Sequence, residues 1–189
     1  MEFNIENMPE DTEAVFGKLN VDALNAQVDA EFIAAQEAGA MRGRLTTCAA
    51  TELFVRAGKA TLTIASVKTG TRYTFKFSRP AEQPGRARPI WVNLLTGSDN
   101  ESSYTFLGTL WDSPNGLNYR HSSKPGAPAS GAPGVQAMLW LIKCLNTGSD
   151  AKLGQTEVWH EGRCGRCGRK LTVPSSIESG FGPECIQHV

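Results

Sequence analysis

Polar and apolar residues alternate through the middle of the chain and recur at helical spacing towards its two ends. Over residues 71–78, Tyr73, Phe75 and Phe77 alternate with Arg72, Thr74, Lys76 and Ser78, which predicts a strand with one apolar and one basic face. Residues 59–67 precede it as a partner strand. Lys68-Thr69-Gly70 between them supplies a hairpin turn, with glycine free to take positive φ. Ile90 to Leu95 and Tyr104 to Leu110 predict two more strands, joined by the polar turn Thr96 to Glu101.

The 3.6-residue period appears twice. Val21, Leu24, Val28, Phe32 and Ala35 fall on one face of a helix over 20–38, which Asn20 can cap and Asp22 favours through the helix dipole. Val135, Met138, Leu139, Ile142 and Leu145 do the same over about 133–146, with Pro133 in the first turn and Gly148 at the end. Residues 112–133, rich in Pro, Gly, Ser and Ala, predict a long mobile loop. The expected fold class is α+β: an antiparallel sheet of about four strands with two packed helices.

The C-terminal segment adds chemistry. Cys164, Cys167, Cys185 and His188 follow a C-x2-C-x17-C-x2-H spacing, and His160 stands just upstream. Thiolate and imidazole donors suit Zn²⁺ in a closed tetrahedral site. Gly165 and Gly168 relieve crowding in the tight Cys-x-x-Cys loop. An iron–sulfur cluster usually takes four cysteines. The remaining two, Cys48 and Cys144, sit in apolar stretches and are expected to be buried thiols. For the fourth ligand, spacing favours His188 and anchorage at the end of a strand-like segment favours His160. The chain therefore divides into a flexible acidic lead (1–19), an α+β core (20–148) and a small C-terminal zinc-binding knob (149–189).

The run from His160 through Cys164-Gly165-Arg166-Cys167-Gly168-Arg169-Lys170-Leu171-Thr172 to Gly180-Phe181-Gly182-Pro183-Glu184-Cys185 resembles an uncharacterised zinc-binding family common in bacteriophages, prophages and mobile elements. Longer members carry upstream blocks similar to Phe54–Thr61, Thr69–Thr74 and Leu94–Asn100, so the likeness spans residues 53 to 186. The family pattern includes the histidine before the first cysteine, which implies His160 as fourth ligand. The family has no assigned activity.

Charge sharpens the functional expectation. The chain has 19 basic and 19 acidic residues; residues 1–40 hold nine acids and one base, leaving 18 bases and 10 acids downstream. That split predicts a basic body for an anionic partner and an acidic arm. Basic residues cluster at Arg72, Lys76, Arg79, Arg86 and Arg88, and again at Arg163, Arg166, Arg169 and Lys170 on the metal loop. Arginine on a rigid loop is suited to phosphate. The aromatics Tyr73, Phe75, Phe77, Trp91, Tyr104 and Phe106 are expected in the core. No apolar run is long enough to span a bilayer, and the acidic N-terminus is not a secretory signal. The odd cysteine count points to the reducing cytoplasm, here of a bacterial host.

Catalysis has no motif. Asp99, Glu101 and Asp112 fit polar turns and His121 a solvated loop. His160-Glu161 resembles the start of a deaminase motif, but the glutamate is adjacent rather than two away and no proline precedes Cys164. The expectation is a non-enzymatic accessory protein without membrane or small-molecule partner, contacting nucleic acid through its basic face. The alternative is a host-takeover protein that binds and inhibits a bacterial defence complex of the CRISPR or restriction type.

Overall fold

The computed structural model describes residues 43–81, 85 and 87–189. Six strands form one antiparallel sheet: β1 (Lys59–Ser66), β2 (Arg72–Ser78), β3 (Ile90–Leu95), β4 (Tyr104–Ser113), β5 (Gly116–His121) and β6 (Thr156–His160). Their spatial order is β5-β4-β3-β2-β1-β6. The expected sheet of about four strands is thus too small. β6 pairs with β1 from Leu62↔His160 to Ser66↔Thr156, so the segment after residue 149 supplies a strand of the main sheet. β5 lies inside the stretch expected to be loop. There Leu117 and Tyr119 alternate with Asn118 and Arg120, and a two-residue turn at Pro114-Asn115 joins β5 to a β4 that continues to Ser113. The turn-forming residues flank this period-two run rather than interrupt it.

Among the described residues, four helices accompany the sheet: α1 (Cys48–Arg56), α2 (Pro133–Thr147), α3 (Asp150–Leu153) and α4 (Pro174–Ser179), with a 3₁₀ turn at Ile186–His188. α2 falls where its apolar period predicts; Pro133 opens it and Gly148 ends it in the left-handed conformation, φ +60°. The other expected helix, over 20–38, lies outside the described residues. α1 went unpredicted, although Thr47 caps it by accepting from the Ala50 N–H and its buried residues Cys48, Thr51, Phe54 and Val55 are helically spaced. Among the described residues no helix is long and apolar enough to cross a membrane.

Strand alternation divides the sheet into two faces. Leu62, Phe75, Phe77, Val92, Leu110 and Val158 are wholly buried on one face and join Phe54, Val55, Met138 and Leu141 of the helices in one core. Each such side chain contributes roughly 1.5–3 kcal/mol of burial. The opposite face carries Thr63, Thr74, Lys76, Trp91, Phe106 and Trp159, which the register places side by side across β6 to β4. The expectation that the aromatics all enter the core is therefore corrected. Tyr73, Phe75 and Phe77 face inward, whereas Trp91, Tyr104 and Phe106 face outward. Trp91 is flanked by Ile90 and Val92, and those two take the core positions.

Between the pairs Val92↔Gly108 and Asn93↔Phe106, β4 contains one extra residue, Leu107. This β-bulge bends the strand. A Cβ on Gly108, at φ +157°, would lie 2.2 Å from the Arg120 carbonyl oxygen of β5. Gly108→Ala is expected to cost about 1–3 kcal/mol, read as a lower midpoint of urea unfolding. An unchanged midpoint would show that β4 and β5 can part without loss.

Candidate metal centre

β6 ends at His160, and the chain then folds into a small hairpin. Arg163 and Lys170 form an isolated antiparallel bridge. The Cys164 N–H donates to the Arg169 carbonyl at 2.8 Å, and the Leu171 N–H to Gly162 at 2.8 Å. At the tip the Gly168 N–H closes back on the Cys164 carbonyl at 2.8 Å, with Gly168 at φ +79°. The chain continues through α4, Gly180 and Phe181 to Cys185, just before the 3₁₀ turn.

This path brings Sγ of Cys164, Cys167 and Cys185 within 4.8 Å of one another. Cys164 is buried, Cys185 half-buried and Cys167 exposed, and all three line a hollow of about 230 Å³. Burial opposes ionisation of Cys164, but main-chain hydrogen bonds from Cys167, Gly182 and Arg166 outweigh it and bring its pKa down to about 7. Cys185 is pushed up by burial and by hydrogen bonds shared with the Cys167 and Cys164 sulfurs. Three converging sulfurs, one of them prepared as a thiolate by main-chain donors, can hold a soft or borderline metal ion.

Neither histidine joins this group. His160 is 7% exposed and both ring nitrogens are engaged elsewhere. Nε2–H donates to the Ile177 carbonyl at 2.6 Å, and Nδ1 accepts from the Gly162 N–H at 3.1 Å. Burial holds its pKa below the ordinary value. In this geometry His160 ties β6 to α4 instead of facing the sulfurs. His188 is exposed and shares a second hollow with Cys167.

Phe54 of α1 secures the loop to the core. Its ring is wholly buried, 5.2 Å from the His160 ring and 5.6 Å, edge-on, from Phe181. A Cβ at either Gly165 or Gly180 would come within 2.7 Å of this ring. Gly180 also ends α4 at φ +80°. The glycines around the cysteines thus serve close packing as well as turning.

The expected contact residues separate into two groups. Arg72 and Lys76 are exposed on the outer sheet face, with Lys76 Nζ 5.2 Å from the Tyr104 ring centroid. Arg163, Arg166, Arg169 and Lys170 are exposed on the metal loop. Arg79 and Arg88, expected at the surface, are engaged within the fold. Arg79 donates to the carbonyls of Arg56 and Arg88 at 2.9 and 3.0 Å and pairs with Asp112 at 3.1 Å. Arg88 donates to the Pro80 carbonyl. Carbonyls at the end of a helix and in the segments flanking a strand need donors, and these guanidinium groups supply them. Arg86 lies outside the described residues.

Other polar residues have structural duties. Asp112 also pairs with Arg56, and Asp99 organises its turn through Ser102 and the Glu101 N–H. His121, expected to be solvated, instead pins the following loop. Its Nε2 meets the Pro128 carbonyl at 3.0 Å and its Nδ1 the Tyr119 hydroxyl at 3.1 Å. Cys48 and Cys144 are buried free thiols, and burial raises both pKa values.

The fold and site define an α+β protein with a C-terminal cysteine cluster competent to hold a metal. Its residues 155–189 match a family of unknown function (DUF6011). Neither the curated proteins nor the solved structures contain a match to the chain.

Cys164→Ser and Cys185→Ser are each expected to lose stoichiometric metal, measured by elemental analysis of the purified protein, and to destabilise the C-terminal segment. His160→Gln, which keeps one donor and one acceptor, is expected to retain the metal. If its metal content fell with the cysteine variants, His160 would be a ligand. Below about pH 6.5 the unfolded chain takes up a proton on His160 that the buried folded form resists. Wild-type stability should therefore fall with pH in that window, and His160→Gln should flatten the fall in urea titrations.

Proposed function

We propose that this is a zinc-stabilised accessory protein of phage or mobile-element origin that contacts nucleic acid through a continuous basic track. The metal assignment is supported by the all-sulfur core of the donor set, which suits Zn²⁺, with a fourth position to complete a tetrahedron. The origin is supported by the likeness of the Cys-x-x-Cys-Gly-Arg tail and its upstream blocks.

One observation carries the nucleic-acid reading: Lys59 lies at the junction of two concave surfaces. It lines a groove of about 420 Å³ with Lys76 and Arg163 on the outer sheet face. It also lines a hollow of about 640 Å³ with Arg166 and with Arg56, Arg79 and Arg88, of which Arg56 and Arg79 are already paired with Asp112. Cations from the hairpin, the metal loop and the end of α1 thus meet along one path. A phosphate backbone is the common polyanion that such a path fits. Sequence reading missed Lys59, because a strand's first residue gives no sign that the metal loop will lie beside it. A protein partner is favoured only by the nine acids of residues 1–40.

The test is fluorescence anisotropy with labelled DNA and RNA at two salt concentrations, on protein of verified metal content. Binding of about micromolar strength that weakens steeply with salt is expected. Lys59→Glu and Lys76→Glu should each weaken it at least tenfold and reduce the salt slope by about one. Arg79→Ala should instead lower stability by about 1–2 kcal/mol, because it removes two partly buried charge-assisted bonds to carbonyls. Absence of binding at low salt would turn attention to a defence-complex partner, sought by pull-down from a bacterial lysate.

A further inference from the structure

We infer that the outer face of the sheet holds an unpaired nucleic-acid strand, with bases lodged against Tyr104 and Trp159 and phosphates along the basic rim. The inference rests on the nucleic-acid reading above and specifies its ligand.

Among the described residues the helices pack with the apolar face, and hollows lie on the outer one. Two adjoining depressions of about 380 and 420 Å³ lie on it, sharing Thr61, Asn100, Tyr104 and Glu161. Each has the size that encloses one small organic molecule. Part of their lining is an uncharged row: the register aligns Trp159, Thr63 and Thr74 across three strands, and Leu95 with Tyr104 across the next two. The Thr63 and Thr74 hydroxyls are 2.8 Å apart, a polar strip able to meet base edges or sugars. Charged residues line the depressions as well: Glu161 lines both and Glu101 the second, and Lys76 stands in mid-sheet between Thr61 and Asn93. Arg72 lines the first depression; Lys59, Lys76 and Arg163 line the second.

Cations already sit beside rings on this surface. Lys76 is 5.2 Å from the Tyr104 centroid, Arg44 5.7 Å from Trp159 and Lys124 5.6 Å from Phe106. Trp91 and Trp111 are 44% and 37% exposed on the same face. Aromatic faces interleaved with long cations form a surface on which bases stack while phosphates are neutralised alongside.

A duplex would use little of this. Its base faces are covered by neighbouring pairs, so only edges and phosphates reach the protein. It also presents one charge per ~1.7 Å of axis, against ~3.4 Å along a single chain. The rim cations are few and are interrupted by Glu101 and Glu161, which matches the sparser charge of a single strand.

The experiment compares a labelled single strand with the duplex of the same sequence, using metal-loaded wild type, Tyr104→Ala, Trp159→Ala and Tyr104→Phe. Urea midpoints establish that each variant is folded. The single strand should bind more tightly than the duplex. Each alanine variant should lose roughly 5- to 100-fold in single-strand affinity, with the salt slope unchanged and duplex affinity unaffected. Tyr104→Phe should retain wild-type binding, and intrinsic tryptophan fluorescence should be quenched by the single strand. Equal affinity for the two forms, with Tyr104→Ala neutral, would overturn the inference and leave the basic-track reading standing. No binding to any nucleic acid would overturn both.

Discussion

The Phe54 ring is the contact on which the C-terminal half of the molecule depends. It is wholly buried and lies against the His160 ring, the Phe181 ring and the bare backbones of Gly165 and Gly180. One side chain from α1 therefore bears on the end of β6, the Cys-x-x-Cys turn and the end of α4. Interiors are packed to near-crystalline density, so a ring in this position fixes the separation of all its neighbours. The cysteines come together because the segments that carry them close around this ring.

Metal loop and sheet are joined by more than apolar contact. The Lys59 N–H donates to the Gly165 carbonyl at 2.7 Å, and the Gly165 N–H to Gly180 at 3.1 Å. The first residue of β1 thus hydrogen-bonds to the cysteine turn. A metal ion on the three sulfurs would tighten that turn and, through it, the start of β1 and the Arg163 hairpin. Free energy gained on metal binding would then contribute to ordering the start of β1 and the Arg163 hairpin as well as the C-terminal segment. A closed site can serve a binding surface in this way without being part of it.

Hydrogen-bond satisfaction accounts for several of the polar residues that residue type marks as candidates for chemistry. Arg79 serves carbonyls at the end of α1 and ahead of β3, Arg88 serves one just past β2, and Asp112 neutralises Arg56 and Arg79. His160 spends both ring nitrogens on the main chain. None of this is visible in residue type. An arginine that solvates carbonyls and one that awaits a phosphate look alike in a chain, and only the acceptors placed around them by folding separate the two.

Local signals were sufficient wherever a single period or spacing carried the information. The β1–β2 hairpin, the strands at 90 and 104, α2 and the cysteine triad were all legible, because alternation, helical spacing and Cys-x-x-Cys are properties of neighbouring residues. β5 was obscured by surrounding proline and glycine, and α1 by its short length. Which face each aromatic occupies was beyond local reading, since Trp91 between Ile90 and Val92 presents apolar residues to both sides of the sheet. The pairing of β6 with β1, the engagement of His160 and the meeting of Lys59 with the metal loop each join residues about a hundred positions apart or depend on such a junction. The fold alone decides them, because alignment across the sheet and closure around Phe54 are set by packing the whole core at once.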